Sequence, residues 1–310
     1  MRKIYEKGRS NIVANNAMVA TSQPLSSQEA INILRMGGNA VDAAIAASAV
    51  LSVVEPGSTG IGGDCFAIVK MENNKAISFN GSGINPKNAN LNFFKKNKIN
   101  KIDLTSPHSV NIPGAVHAWY TMHKKFGKLD FVELFKLAEK YAAEGFPVHE
   151  VTALSWKNNI GKLKKNISSN KIFLKNGLAY NYGEIHKNPK LAKTLNAIGK
   201  NGIKDFYQGY IAEDIVKSLN KIGGLHAMDD FLDNILRNEE TEEYETEFSL
   251  IEQERMVEAM IFAADKPLSL KEMHSRMPKT CDIEEILARL RERYSKRGFH
   301  LVKILDSYAF

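Results

Sequence analysis

A chain of 310 residues with 44% apolar and 25% charged residues can bury a core, and its length allows about two domains. The longest apolar stretch, residues 43–54, is too short to span a bilayer, and the first residues lack the apolar segment of a secretion signal. The two cysteines, Cys65 and Cys281, lie far apart, which favours a reducing compartment over a disulfide. These features predict a cytoplasmic protein with no membrane partner.

The net charge of +7 conceals a difference between two parts of the chain. Residues 1–231 carry an excess of 12 positive charges, whereas residues 232–310 carry an excess of 5 negative charges. Such a change is typical of a domain boundary. The lysines of the basic part are scattered singly or in pairs, which favours a solvated surface over a nucleic-acid-binding one.

The first predicted elements are two consecutive helices. Ser26 and a glutamate three residues later fit a capping box that begins a helix, and the glycines at 37–38 end it. Asn39 then caps a second helix over residues 40–54, with Asp42 in its first turn. The many alanines of this helix indicate that it packs closely against neighbours on most sides.

A glycine-rich loop over residues 57–64 follows the second helix and precedes two predicted strands, 65–71 and 76–79. A phosphate-binding loop follows a strand and opens a helix, so the order here favours a tight backbone crossing instead. Further helices are predicted over residues 129–144, 190–199 and 211–222. Helices, then an antiparallel hairpin, then more helices predict an α+β fold.

An acidic segment with six glutamates, residues 238–247, predicts a solvated linker over 232–250. A different pattern follows over residues 251–310, which predicts a winged-helix module. Its three amphipathic helices are expected over residues 251–264, 269–277 and 282–295, and alternating residues after them predict a hairpin.

Basic residues gather on and just after the third of these helices, at Arg289, Arg291, Arg293, Lys296 and Arg297. A winged helix with such a cluster could bind DNA. Four acidic residues share the helix, however, and the segment is net negative. A solvated helix face is therefore the favoured interpretation, and a nucleic-acid partner is not expected.

Composition and spacing alone predict no catalytic residue, cofactor or metal site. The eight histidines lack the spacing of metal ligands, and the sequence contains no HExxH motif or Gly-x-Ser-x-Gly motif. The prediction of function therefore rests on resemblance to known families.

Several motifs of the first 231 residues occur in one family in the same order and spacing. They are Val19–Leu25, Gly37–Ala44, Val54–Pro56, Gly60–Phe66, Ile112–Val116, Glu144–Val148, Phe206–Gly209, Gly223-Gly224 and Asp229-Asp230. Over residues 10–231 the chain resembles the large subunit of gamma-glutamyltranspeptidases. The resemblance covers about three quarters of the chain.

This resemblance implies an N-terminal-nucleophile hydrolase fold, which is an αββα sandwich, here present in part. In the family, a precursor cleaves itself and exposes a threonine at the start of the small subunit. That threonine attacks a gamma-glutamyl amide of the glutathione type, and the acyl group passes to water or to an amino acid. The implied partner is a small gamma-glutamyl compound or another amide, and no cofactor is implied.

The family pattern stops after Phe231, before its nucleophile. The remaining threonines, Thr241, Thr246 and Thr280, do not lie in the family's nucleophile motif. The 310-residue chain is therefore expected to be catalytically inactive, because it has neither the attacking group nor its oxyanion donors.

The region expected to bind substrate also departs from the family. Members that bind glutamate hold its α-carboxylate with an arginine shortly after the second strand. The corresponding stretch, residues 80–86, has no arginine. Ser82 and Ile84 are the predicted substrate-binding positions there, but neither can replace the bidentate fork of an arginine.

The end of the chain resembles a second, unrelated family. The similar stretches are Met256–Ser269, Arg293-Tyr294, Arg297–Val302 and Tyr308–Phe310. They are similar to segregation and condensation protein B, a dimer of tandem winged helices that binds a kleisin in the chromosome-condensing complex. The resemblance implies an alternative function for residues 232–310, as a kleisin-binding interaction module.

Two partial families in one chain predict a fusion of gene fragments, with the junction near Phe231–Leu232. Half of an αββα sandwich is expected to expose unpaired strand edges and apolar surface.

Overall fold

The computed structural model describes residues 12–72, 76–239, 249–277, 281–295, 298 and 300–310. The chain divides into two compact units, Met1–Glu243 and Tyr244–Phe310. Both units combine helices with small sheets, which confirms the predicted α+β class. Within the described ranges, no helix has both the length and the apolar character needed to cross a bilayer.

The described helices of the first unit are α1 (Pro24–Arg35), α2 (Ala40–Val54), α3 (Leu91–Lys96), α4 (Ala115–Phe126), α5 (Lys136–Glu144), α6 (Glu150–Asn158), α7 (Ile160–Lys164), α8 (Ile167–Phe173), α9 (Pro189–Asn201), α10 (Lys204–Tyr207), α11 (Tyr210–Asn220) and α12 (Met228–Glu239). Its described strands are β1 (Cys65–Val69), β2 (Ile77–Gly81), β3 (Phe146–Pro147), β4 (Leu174–Lys175), β5 (Leu178–Ala179) and β6 (Ile185–His186). They form three two-stranded antiparallel sheets, β1–β2, β3–β6 and β4–β5.

The first helix begins earlier than predicted. Its N-cap is Gln23, whose side chain accepts the N–H of Leu25, and Pro24 occupies the first turn, where its fixed φ suits a helix. Ser26 is therefore not the cap. It is buried inside α1, and its hydroxyl donates to Ala47 O of α2 at 2.9 Å.

The second helix forms as predicted and lies at the centre of the unit. Asn39 and Asp42 form a complete capping box, and α2 packs against α1, α4 and α5. Asp42 is fully buried, and its carboxylate also accepts the N–H groups of Lys128 at 3.1 Å and Leu129 at 3.4 Å. The side chain that caps α2 thus also fixes a loop 86 residues further along the chain.

The predicted hairpin is confirmed as β1 and β2, with Ala67 paired to Phe79 at its centre. One face packs against the core, where Phe79 is buried. The other face is open: Phe66 is 65% exposed and Ile68 is 80% exposed.

The three further predicted helices are present, with one change. Residues 129–144 are not a single α-helix, because a 3₁₀ helix over Phe131–Phe135 precedes α5. Such tighter turns are frequent at helix ends. The end at Gly145 is as predicted, with the glycine at φ +104°.

Helix α12 crosses the predicted junction at Phe231–Leu232. It buries Phe231 and Ile235 in the core of the first unit, and the Phe231 ring lies 6.2 Å from that of Tyr207. The helical structure therefore continues eight residues into the predicted linker over 232–250. Residues 240–248 of that linker lie outside the described residues.

The described elements of the second unit are α13 (Leu250–Phe262), β7 (Leu268–Ser269), α14 (Leu270–His274), α15 (Ile283–Tyr294), β8 (Val302–Ile304) and β9 (Ser307–Ala309). The three predicted helices and the final hairpin are present, and β7 is an additional short strand. The strand order is β7–β9–β8, all antiparallel. Capping boxes at Ser249 and Ser269 begin α13 and α14.

Two cations predicted to lie on a solvated face of α15 are exposed and also bind α13. Arg289 and Arg293 both form ion pairs with Glu254, which is buried. Tyr294 donates its hydroxyl to Glu258 on the same helix. These contacts join α13 to α15, so the two arginines are engaged within the unit. Lys296 and Arg297 lie outside the described residues.

Candidate functional site

The stretch predicted to bind substrate, residues 80–86, leaves strand β2 and crosses residues 112–114 at close range. Ile112 N donates to Ile84 O at 2.9 Å. Gly83 has φ +73°, and a Cβ placed there would overlap Ile112 O. A Cβ at Gly114 would likewise overlap Gly81 O. Glycine is therefore required on both sides of this crossing.

The prediction of a tight backbone crossing at the glycine-rich loop, residues 57–64, is wrong, because the crossing lies elsewhere in the chain. Gly57, Gly60, Gly62 and Gly63 all have room for a Cβ, and none has a positive φ. The loop is hydrogen-bonded to the start of α4 through Gly63 O, which accepts the N–H groups of Gly114 at 2.9 Å and Ala115 at 3.0 Å. The close approach lies instead at Gly81, Gly83 and Gly114.

Both predicted substrate-binding residues lie in this crossing segment. The Ser82 N–H donates to Asn80 Oδ1 at 3.2 Å, and the Ser82 side chain is half-buried. Ile84 is also half-buried and packs against the main core. Neither lines the two clefts described below, and their role in substrate binding stays a prediction.

Two neighbouring clefts lie between α2, α4 and strand β1, with volumes of about 370 and 340 Å³. Both are lined by Ser48, Cys65 and Trp119. The first extends along the whole of β1, and the second extends under the glycine-rich loop to Thr59. Clefts of this size are large enough for a small ligand.

Cys65 is the thiol that faces both clefts. Burial raises the pKa of Cys65, a hydrogen bond with Trp119 opposes the rise, and the nearby charge of Asp64 adds to it. The thiol is therefore largely protonated at neutral pH. Since the thiolate is the attacking form of cysteine, Cys65 is a poor nucleophile.

Two buried side chains connect family motifs that are distant in the sequence. The Tyr207 hydroxyl donates to Pro113 O at 2.6 Å and accepts the N–H of His117 at 3.1 Å. Burial raises the pKa of Tyr207, so this hydroxyl stays protonated. Tyr207 therefore holds residues 112–117 next to α10.

Asp230 of α12 holds the other end of the crossing segment. Its carboxylate accepts the N–H of Lys87 at 2.9 Å and the N–H of Ala227 at 2.8 Å. Lys87 also forms an ion pair with Asp233, 2.5 Å between Nζ and Oδ2. Sequence reasoning found the motifs that contain Tyr207 and Asp230 but not these contacts, because the partners lie 94 and 143 residues away in the chain.

Two of the buried histidines, His226 and His186, have structural contacts within the first unit. His226 Nε2 lies 2.8 Å from Val110 O, so it donates to that carbonyl. His186 is surrounded by aromatic rings, including Trp156 and Tyr180 at 4.9 Å between centroids. Burial lowers the pKa of His186 to about 4. Within the described part of the chain, no three His, Cys, Asp or Glu side chains are grouped to hold a metal ion.

The three threonines considered as nucleophile, Thr241, Thr246 and Thr280, lie outside the described residues.

Comparison with known proteins identifies both parts of the chain. Residues 26–247 match the family model of gamma-glutamyltranspeptidase, and residues 255–310 match that of the segregation and condensation complex subunit ScpB. The chain belongs to the gamma-glutamyltranspeptidase family. The two matches together confirm the two resemblances found in the sequence.

Individual relatives support this assignment. The glutathione hydrolase-like YwrD proenzyme of Bacillus subtilis is 35% identical over 71% of this chain, and the match spans 42% of that relative. The structure of Helicobacter pylori gamma-glutamyltranspeptidase has a TM-score of 0.68 and 31% identity, covering 73% of this chain and 66% of that one. Cephalosporin acylase from Bacillus halodurans has a TM-score of 0.65 and 31% identity, covering 74% and 45%.

Proposed function

We propose that residues 12–239 form the large-subunit part of an amide hydrolase or acyltransferase with an αββα sandwich. The contacts of Gly83, Tyr207 and Asp230 carry this proposal. They bring the motifs Ile112–Val116, Phe206–Gly209 and Asp229-Asp230 into contact around residues 80–87. The β1–β2 hairpin, covered by helices on one face, fits half of such a sandwich.

In this proposal the 310-residue chain cannot catalyse amide hydrolysis or acyl transfer by itself. Acyl transfer of this kind requires an activated nucleophile beside its base. Cys65 is a protonated thiol, and the family match gives way to the ScpB match from residue 255. The nucleophile must therefore come from another polypeptide segment.

The acyl donor is proposed to lack a free α-carboxylate. A bidentate grip on that group needs an arginine, and residues 80–86 contain none. Ile84 packs against the core, so this part of the segment is apolar. A solved neighbour named as a cephalosporin acylase is consistent with amide donors other than glutathione.

A graft tests the proposal. Residues 26–231 replace the matching part of the Bacillus subtilis relative, and hydrolysis of a gamma-glutamyl anilide and a 4-aminobutyryl anilide is measured. We expect hydrolysis with a preference for the 4-aminobutyryl donor, which differs from the gamma-glutamyl donor only in lacking the α-carboxylate. A graft that folds, by circular dichroism, but hydrolyses neither donor contradicts the proposal.

For the second unit we propose a winged-helix module that binds a kleisin. The specific support is the ScpB match over residues 255–310 together with the order of three helices and the antiparallel sheet β7–β9–β8. The engagement of Arg289 and Arg293 with Glu254 disfavours DNA as the partner. Capture of a purified bacterial kleisin fragment by the full chain is the test, and failure of capture contradicts it.

A further inference from the structure

The chain contains three Asn-Gly pairs, at residues 80–81, 176–177 and 201–202. An asparagine side chain before glycine is open to attack by the glycine nitrogen, because glycine has no Cβ that hinders the approach. The attack requires this nitrogen and the side-chain carbonyl carbon to meet, so packing and hydrogen bonds slow it. The structure places the three pairs in different surroundings.

The first pair is held inside a sheet. Asn80 and Gly81 belong to β2 and are paired with residues of β1. Asn80 Oδ1 accepts the N–H of Ser82 at 3.2 Å, and a Cβ at the buried Gly81 would overlap Ala118. The asparagine side chain and the glycine nitrogen therefore have little freedom to meet.

The third pair is held at the end of α9. Asn201 Nδ2 donates to Asp205 Oδ2 at 2.5 Å. The Gly202 N–H donates to Ile198 O at 2.9 Å. Because both reacting groups are hydrogen-bonded elsewhere, this end of α9 must open before they react.

The pair at residues 176–177 is the open one. It forms the turn between β4 and β5, a hairpin with two residue pairs, which is too short to be stable by itself. Asn176 is exposed with φ +54°, and Gly177 has φ +76°, as in the two-residue turns that favour Asn-Gly. In the part of the chain that the structure describes, neither the Asn176 side chain nor the Gly177 N–H forms a hydrogen bond.

A lysine lies beside this turn. Lys164 Nζ would be 3.6 Å from a Cβ placed on Gly177, so its charge is close to the nitrogen that must lose a proton. The surrounding segment is also basic, since residues 157–193 hold nine lysines and one acidic residue. A positive charge favours both the deprotonated nitrogen and the oxyanion that its attack produces.

We propose that Asn176 is a site of spontaneous modification, at which its side-chain amide is lost through attack by the Gly177 nitrogen. This nitrogen gives its proton to hydroxide and forms a bond to Cγ of Asn176. The Cγ–Nδ2 bond breaks, and Nδ2 takes a proton from water and leaves as ammonia. Water then opens the cyclic imide to aspartate or isoaspartate, so nothing is oxidised or reduced. This inference does not depend on the proposed enzymatic function.

Peptide mapping of the full chain tests the proposal. The protein is incubated folded and in concentrated urea, then digested at acidic pH, and mass spectrometry measures amide loss at each pair. In the folded chain we expect loss at Asn176 about tenfold faster than at Asn80 or Asn201, which require local opening first. In urea the three rates should become similar, because all three pairs are then free to react. A folded chain in which Asn176 reacts no faster than the other two overturns the proposal.

Charge substitutions test the role of Lys164. Lys164→Gln should slow amide loss at Asn176 about threefold by removing one nearby charge, whereas Lys164→Arg should keep the wild-type rate. Lys162→Gln, at another exposed lysine of α7, is the matched control. Asn176→Asp supplies the aspartate product for comparison. Equal rates in the two glutamine variants would overturn the role of Lys164.

Discussion

The first and the second unit are each stabilised internally by a different kind of polar contact. In the first, single buried carboxylates accept backbone N–H groups from distant loops, as Asp42 does from Lys128 and Asp230 from Lys87. In the second, the buried carboxylate of Glu254 binds side chains of a neighbouring helix. The first arrangement fixes the paths of loops, and the second fixes the packing of two helices.

The largest expected effect comes from removing a loop anchor. Asp42→Ala leaves the partly buried N–H groups of Lys128 and Leu129 unpaired and removes half of a capping box. We therefore expect the free energy of unfolding to fall by about 4 kcal/mol. Both tryptophans lie in the first unit, so urea unfolding followed by tryptophan fluorescence measures it. Glu150→Ala, an exposed acid in the first turn of α6, is the control, and an equal loss there contradicts this account.

A glycine at the crossing is the next most sensitive position. Gly83→Ala adds a Cβ that overlaps Ile112 O and imposes a strained φ, so we expect the first unit to lose about 3 kcal/mol. Gly62→Ala is the matched control, since a Cβ there meets no atom within 4 Å. The same fluorescence titration compares them. Equal stability of the two variants would show that the crossing is not tightly packed.

Acid should weaken the first unit through His186. Its pKa is lowered to about 4 by burial, whereas an unfolded histidine titrates near 6.5. Between these values the unfolded state binds more protons, so stability falls as pH falls, by up to about 3 kcal/mol. His186→Phe is expected to reduce this pH dependence between pH 7 and 4.5 in the same urea titrations. The variant His300→Gln, at an exposed site, is expected to keep the pH dependence of the wild type. The same pH dependence of stability in the wild type and both variants would exclude the role of His186.

The smallest expected effect is in the second unit. Glu254→Gln removes the charge that binds Arg289 and Arg293, and because both arginines are partly exposed we expect a loss of about 2 kcal/mol. Faster hydrogen exchange of α15 peptides measures this loss. Glu285→Gln, which breaks only an exposed pair with Arg289, should change exchange little.

Features set by local residues could be predicted from the sequence. Helix α2 was predicted at its observed bounds because its cap at Asn39 and its stop at Pro56 are both nearby in the chain. The cap at Ser26 was wrong because Pro24 and Gln23 start the helix one turn earlier. Strand β7 was missed because two residues leave no alternation to detect. Helix α4 follows Gly114 without a side-chain cap, so it gives no start signal.

Features of the candidate site depend on distant pairs and could not be predicted. The need for glycine at residues 83 and 114 arises only because their two segments cross. The roles of Tyr207 and Asp230 likewise depend on contacts with Pro113 and Lys87. Helix α12 runs through the predicted junction at Phe231–Leu232, and the burial of Phe231 and Ile235 that anchors it depends on residues distant in the sequence.

Hydrolysis of a gamma-glutamyl anilide and a 4-aminobutyryl anilide by the purified 310-residue chain tests the central claim most directly. The claim is that the first unit is a family scaffold that lacks its own nucleophile. We expect no hydrolysis above the buffer rate for either donor, under conditions where the graft described above is active. Measurable turnover by the chain alone would contradict the claim and would require a nucleophile within these residues.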